Sequence, residues 1–169
     1  LFNGGFRKIK DLNIFNKIKG LFTGDNVAAF RGNVDFTLKT EQGEVLLERH
    51  IRNLVVTTGL QYIADRLSDK AVTEMGWVAI GTGTDSPAAG NSTLQTELVR
   101  IAVSSITKTG AQVVYAVTFP AGIAGTITEA GIFNAAVGGV MLARTTFSAI
   151  PKGLAENLVG SWTLTVAAG

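Results

Sequence analysis

Cysteine is absent from the 169-residue chain, which excludes disulfides, thiol catalysis, zinc fingers and iron–sulfur sites. There is one histidine, His50, so a His pair or a His-rich metal site is excluded too. Charged residues make up only 17% of the chain, below the usual quarter or so of a soluble domain. No apolar run approaches the ~20 residues of a membrane helix, so an integral membrane protein is not expected. No secretory signal is legible, because basic and apolar residues near the start are interleaved rather than ordered as charged-then-apolar. Calcium would need a loop rich in Asp and Asn, and Asp85 with Asn91 is not one. We expect no metal and no cofactor. The chain opens on Leu1, whereas initiator Met is normally removed only before a small residue. The expectation is an upstream start or processing.

What is present is apolar and glycine-rich: 46% hydrophobic residues and 20 Gly, with a mean hydropathy of +0.30. That composition suits a soluble protein whose surface is apolar or covered by partners. The length suits one domain, or one domain plus an arm.

Residues 1–24 differ from the rest. They hold four of the nine Phe, and Arg7, Lys8, Lys10, Lys17 and Lys19 against Asp11 alone. The remainder sums to −2, so the pI near 9.1 belongs to this segment. Phe6, Ile9, Ile14, Phe15, Ile18, Leu21 and Phe22 recur at helical spacing with lysines between them, and Gly4, Gly5, Gly20 and Gly24 bracket them. We read residues 1–29 as a basic amphipathic arm and 30–169 as the folded domain. Phe6, Ile9, Phe15, Ile18 and Phe22 are the expected docking residues. A groove on a neighbouring subunit is the favoured seat, ahead of the arm's own domain and of a membrane surface. Nucleic acid is the weakest reading, for want of a larger positive field or a recognisable module.

From about Phe30 the period changes to two. Asn33–Thr40 and Glu44–His50 read as a hairpin around Glu41-Gln42-Gly43. Leu60, Ile63, Ala64 and Leu67 place a short helix within 53–67, capped by Thr57 or Thr58. A short strand at Gly76–Ile80 leads into a Gly/Ser/Pro loop, and Leu94, Glu97 and Leu98 suggest a helical turn before a strand at Val99–Thr107. Alternation then puts Val113, Tyr115, Val117 and Phe119 on one face, Met141, Ala143, Phe147 and Ala149 on another, and Trp162, Leu164 and Val166 on a third. Seven or so strands with one helix predict a mainly β fold, an antiparallel sandwich or partly open barrel.

Enzyme signatures are mostly missing, and we expect no catalytic residues. Gly81-Thr82-Gly83-Thr84 looks like a phosphate loop but lacks the Gly-Lys-Ser/Thr ending, so it reads as a tight turn. His50 could join Ser68, Ser104 or Ser148 in a triad, yet no Gly-x-Ser-x-Gly elbow exists, and it reads as a strand-end or interface histidine. Glu97 and Glu129 sit in apolar phrases rather than as a facing pair of acids. Their expected role is structural, accepting backbone amides or pairing Arg100 or Arg144. Only Glu129, Arg144, Lys152 and Glu156 are charged between 109 and 169, which leaves apolar surface for assembly to cover. A carbohydrate-binding module would instead display aromatics, and Tyr62, Trp77, Tyr115 and Trp162 fall mostly at core-facing positions.

Several phrases, taken in order, follow the pattern of one protein family. Asn53–Leu60 followed by Ile63-Ala64 looks like its short helix. Val78-Ala79-Ile80-Gly81-Thr82-Gly83-Thr84, a small-residue loop and Thr93-Leu94-Gln95-Thr96-Glu97-Leu98-Val99-Arg100 follow. Ile127–Asn134 is similar to its "Glu–x–Gly–apolar–aromatic" strand, and Gly139–Arg144 with Trp162–Val166 completes the pattern. Together these phrases resemble the tail-collar and tail-fibre family of tailed bacteriophages. The resemblance covers roughly 53–167 and leaves out the arm. It implies a virion structural protein, tail-associated, built into a homo-oligomer (trimer or ring) and held by other virion proteins, with no residue-level site. A capsid decoration protein is the alternative.

Overall fold

The computed structural model describes residues 29–167; the arm and its five docking residues lie outside them. Nine strands follow in chain order: β1 (Ala29–Thr40), β2 (Val45–Val55), β3 (Trp77–Gly81), β4 (Glu97–Ala102), β5 (Ser105–Thr109), β6 (Gln112–Phe119), β7 (Gly125–Phe133), β8 (Met141–Lys152) and β9 (Glu156–Ala167), with one helix, α1 (Thr57–Leu67), between β2 and β3. All pairings are antiparallel, in the order β4-β3-β7-β8-β2-β1-β9-β6-β5. The sheet curls on itself into a half-barrel, which is the expected partly open, mainly β architecture.

The curl has a simple origin. β2 meets β8 at only two register pairs, Leu54–Arg144 and Val55–Ala143, so two well-paired halves hinge at one narrow seam and face each other across the core. Trp162, Phe36, Phe119 and Leu158 from one half pack against Val78, Ile80, Ile127, Ile132 and Ile150 from the other. The chain crosses between the far edges in two residues: the Val103 amide donates to Gly76 O (2.9 Å) and the Ser104 amide to Ala116 O (2.8 Å).

The first hairpin forms as expected. Gly43, at φ +89°, supplies the left-handed residue of the turn, and the Thr40 amide donates to Glu44 O (2.9 Å). Tyr115, Val117 and Phe119 point inward, and Trp162 is fully buried, as their alternation predicts.

Five expectations are corrected. The long Val99–Thr107 strand is two strands, β4 and β5, split where the chain changes halves. Leu94–Leu98 is not helical: β4 begins at Glu97, and the Gln95 and Thr96 amides are held by Glu129 instead of a helical turn. Neither threonine caps α1, whose N-cap is Val56 without a side-chain bond; Thr58 Oγ1 donates instead to Met141 O (2.9 Å). The helix buries Gly59 and Tyr62 while Leu60 and Leu67 stay exposed. The reason is Gly59, where a Cβ would lie 2.1 Å from Leu142 O: the helix backbone lies directly on β8, and that contact sets its rotation. In β8 the face breaks as well. A register shift opposite Ile127–Glu129 leaves Ala149 exposed and brings Ile150 into the core.

Candidate functional site

In the half formed by β3, β4, β7 and β8, the strand β3, the end of β7 and the start of β8 are buried on both faces. Its inner face lines the main core. Its outer face carries a second cluster of Val56, Ala79, Leu94, Phe133 and Met141, roofed by the loop between β3 and β4. Two ionic side chains sit beneath that roof, Glu129 on β7 and Arg144 on β8, both essentially without solvent exposure.

An isolated charge could not persist there, because its desolvation costs several kcal/mol. Every acceptor position of the Glu129 carboxylate is accordingly filled. Oε1 accepts the amides of Gly83 (3.0 Å) and Thr96 (2.7 Å). Oε2 accepts the amide of Gln95 (3.0 Å) and both Nε and Nη2 of Arg144 (3.1 and 2.8 Å). Arg144 Nη1 then donates to Asn91 Oδ1 (3.1 Å). Burial on its own would raise the Glu129 carboxyl, but the Thr96 and Gln95 amides and the Arg144 guanidinium outweigh it and hold it below the usual glutamate value.

The glycines of Gly81-Thr82-Gly83 follow from this geometry. A Cβ on Gly81 or Gly83 would lie 2.7 or 2.5 Å from Glu129 Oε1. The phosphate-loop look-alike thus gives one amide, that of Gly83, to an anion, and that anion is the protein's own Glu129 carboxylate. Gln95 extends the strap, its Oε1 accepting the amides of Thr84 (2.8 Å) and Asp85 (2.9 Å).

Arg100 closes the same roof from the side. Its guanidinium forks onto both oxygens of Glu97 (3.0 and 2.7 Å), donates to Ala135 O (2.9 Å) and Gly138 O (2.8 Å), and lies 3.6 Å above the Phe133 ring. The structural roles expected of Glu97 and Glu129 are therefore present, Glu97 with Arg100 and Glu129 with Arg144.

Sequence reasoning missed Lys152. Its ammonium is buried and donates to Pro120 O (2.9 Å), Ile123 O (2.6 Å) and Glu156 O (2.6 Å), and burial lowers its pKa. It ties two loops at the opposite end of β8. A lone lysine in a stretch almost without charge was the signal available.

His50 is exposed on the outer face of the other half, with Nδ1 2.5 Å from Asp35 Oδ1. Asp35 pairs in register with His50 on β2 and with Ser161 on β9. This puts the carboxylate between serine and histidine, two strand spacings or roughly 9–10 Å apart. A triad needs the imidazole in the middle, so the row cannot relay a proton from serine to histidine. Ser68 and Ser104 donate to Asp65 O and Ala116 O, and Ser148 is exposed on β8; none is a hydrogen-bond partner of His50. Among the described residues no group of three or more His, Asp or Glu could hold a metal ion, and no helix is long and apolar enough to cross a membrane. Of the four aromatics a sugar platform would need, Tyr62, Tyr115 and Trp162 are buried and Trp77 is partly buried.

Comparison with known protein families, with curated proteins and with solved structures finds no match.

Proposed function

We propose that this chain is a non-enzymatic structural protein of a tailed-bacteriophage virion, tail-associated, which assembles through its arm and its sheet surfaces into a homo-oligomer held by other virion proteins. One observation carries the reading. The phrases behind the resemblance are far apart in sequence, yet four of them meet in one knot: Gly81–Gly83, Thr93–Arg100, Glu129–Phe133 and Arg144 touch one another directly. They specify a way of strapping a loop across a sheet, which is what a shared scaffold would preserve. The charged groups buried there are consumed by internal partners, leaving them no free valence for a substrate.

The test is immunogold labelling of purified particles with antibody to residues 30–169. Gold at the tail or collar is expected. Gold spread over the whole head would replace this reading with capsid decoration. Absence of label on intact and disrupted particles, with an antibody shown to bind the protein, would overturn both.

A further inference from the structure

The half-barrel is open on one side, and the opening is apolar. Between α1 and the strands β5, β6 and β9 lies a groove of about 340 Å³. Phe30, Leu67, Ile106, Val113, Leu164 and Val166 line it, with Arg66 and Glu74 at hand. Leu67 is 82% exposed, Val166 45% and Ile106 40%. Three large aliphatic side chains converging on one groove form a surface that water covers poorly.

We propose that the occupant of this groove is residues 6–22 of the same chain, with Phe6, Ile9, Phe15, Ile18 and Phe22 providing the apolar stripe. The inference does not depend on the virion reading. Its first support is position: Phe30 lines the groove, so the segment outside the described residues joins the domain at the groove's own rim. Its second is reach. Residues 23–29 can span at most about 25 Å, and the 17 residues 6–22, as a helix, would run about 25 Å. The linker includes Thr23-Gly24-Asp25-Asn26, a composition that favours chain reversal. The third is pattern: an amphipathic helix needs a groove for its apolar face, and the groove accepts side chains rather than a backbone cylinder of ~10–12 Å. A tether this short gives an effective concentration near millimolar, so the chain's own groove is filled before a neighbour's. The stripe that assembly would use is thereby covered while the protein is free.

The cysteine-free chain permits a clean test. A nitroxide on Lys17→Cys in the full-length protein should broaden the methyl signals of Val113, Leu164 and Val166 several-fold more than those of Val45 or Leu154 on other surfaces. A mixture of isotope-labelled protein without nitroxide and unlabelled protein with it should show no such broadening. Phe15→Asp, or Leu67→Asp at an already exposed position, should abolish the effect while the domain's circular dichroism is unchanged. Equal broadening everywhere would overturn the proposal. Broadening of the same signals in the mixed sample as well would overturn it in favour of exchange between copies, and persistence of the effect in both variants would overturn the assigned contacts.

Discussion

The two halves of the curled sheet solve the same problem with different chemistry. The half made of β2, β1, β9, β6 and β5 buries one face against the core and leaves the other polar, with Asp35, His50 and Thr163 outward; it is stabilised as most antiparallel sheets are, by alternation. The half made of β3, β4, β7 and β8 buries both faces along β3, the end of β7 and the start of β8, and its outer one contains a carboxylate, a guanidinium and the backbone of a long loop. The first depends on apolar area. The second depends on hydrogen bonds that have no substitute once they are buried. This contrast predicts where each half fails.

The largest effect is expected at Glu129. Glu129→Ala leaves Arg144 without its counter-charge and strips three amides of their acceptor, so a loss of about 3–5 kcal/mol is expected, read by urea denaturation. Less than about 1 kcal/mol would mean that the roof is held by packing alone. Acid sharpens the same point. The Glu129 carboxyl is held below its usual range, so the stability it contributes is present above the ordinary glutamate value and is lost as pH falls through the lower, folded value. Trp77 lies on β3 and Trp162 on β9. Single-tryptophan variants should therefore report acid loosening first from Trp77.

For the opposite half the decisive change is Trp162→Ala, expected to cost about 3–5 kcal/mol from the cavity it leaves, without the acid sensitivity expected at Glu129. A loss under about 1 kcal/mol would contradict its place in the core. The smallest effect is expected at His50. Its pKa is raised by the hydrogen bond and the charge of Asp35. Any stability it lends is therefore full below the ordinary histidine value and fades as pH rises through the raised one. Because the ring is exposed, His50→Ala should leave the denaturation midpoint unchanged. The single histidine gives one NMR titration, which Asp35→Asn should return to the ordinary range.

How far the sequence is legible follows the same division. Alternation works where one face is buried and the ladder is regular, and Tyr115, Val117, Phe119 and Trp162 are found inside as their spacing demands. It fails at Ala149, because a strand that shifts register changes which face each residue shares. It fails for α1, because Gly59 brings the helix backbone against Leu142 O and turns Leu60 and Leu67 outward; a glycine inside a helix was the signal of that close approach. The Glu129 role was readable from a lone acid in an apolar phrase. Its cradle was not, since the three amides come from segments whose meeting depends on topology. The five arm residues lie outside 29–167, so their role rests on pattern.

One pairing has a mechanical consequence. β1 and β9 are in register over their whole length, with Ala29 opposite Ala167, so both ends of the described chain leave from one corner. Tension applied between those ends would open the β1–β9 ladder one rung at a time, like a zipper, at low force. Tension entering at Ala29 and leaving through a distant sheet surface would load many rungs at once in shear. A protein built this way resists pulling along one route and yields along the other.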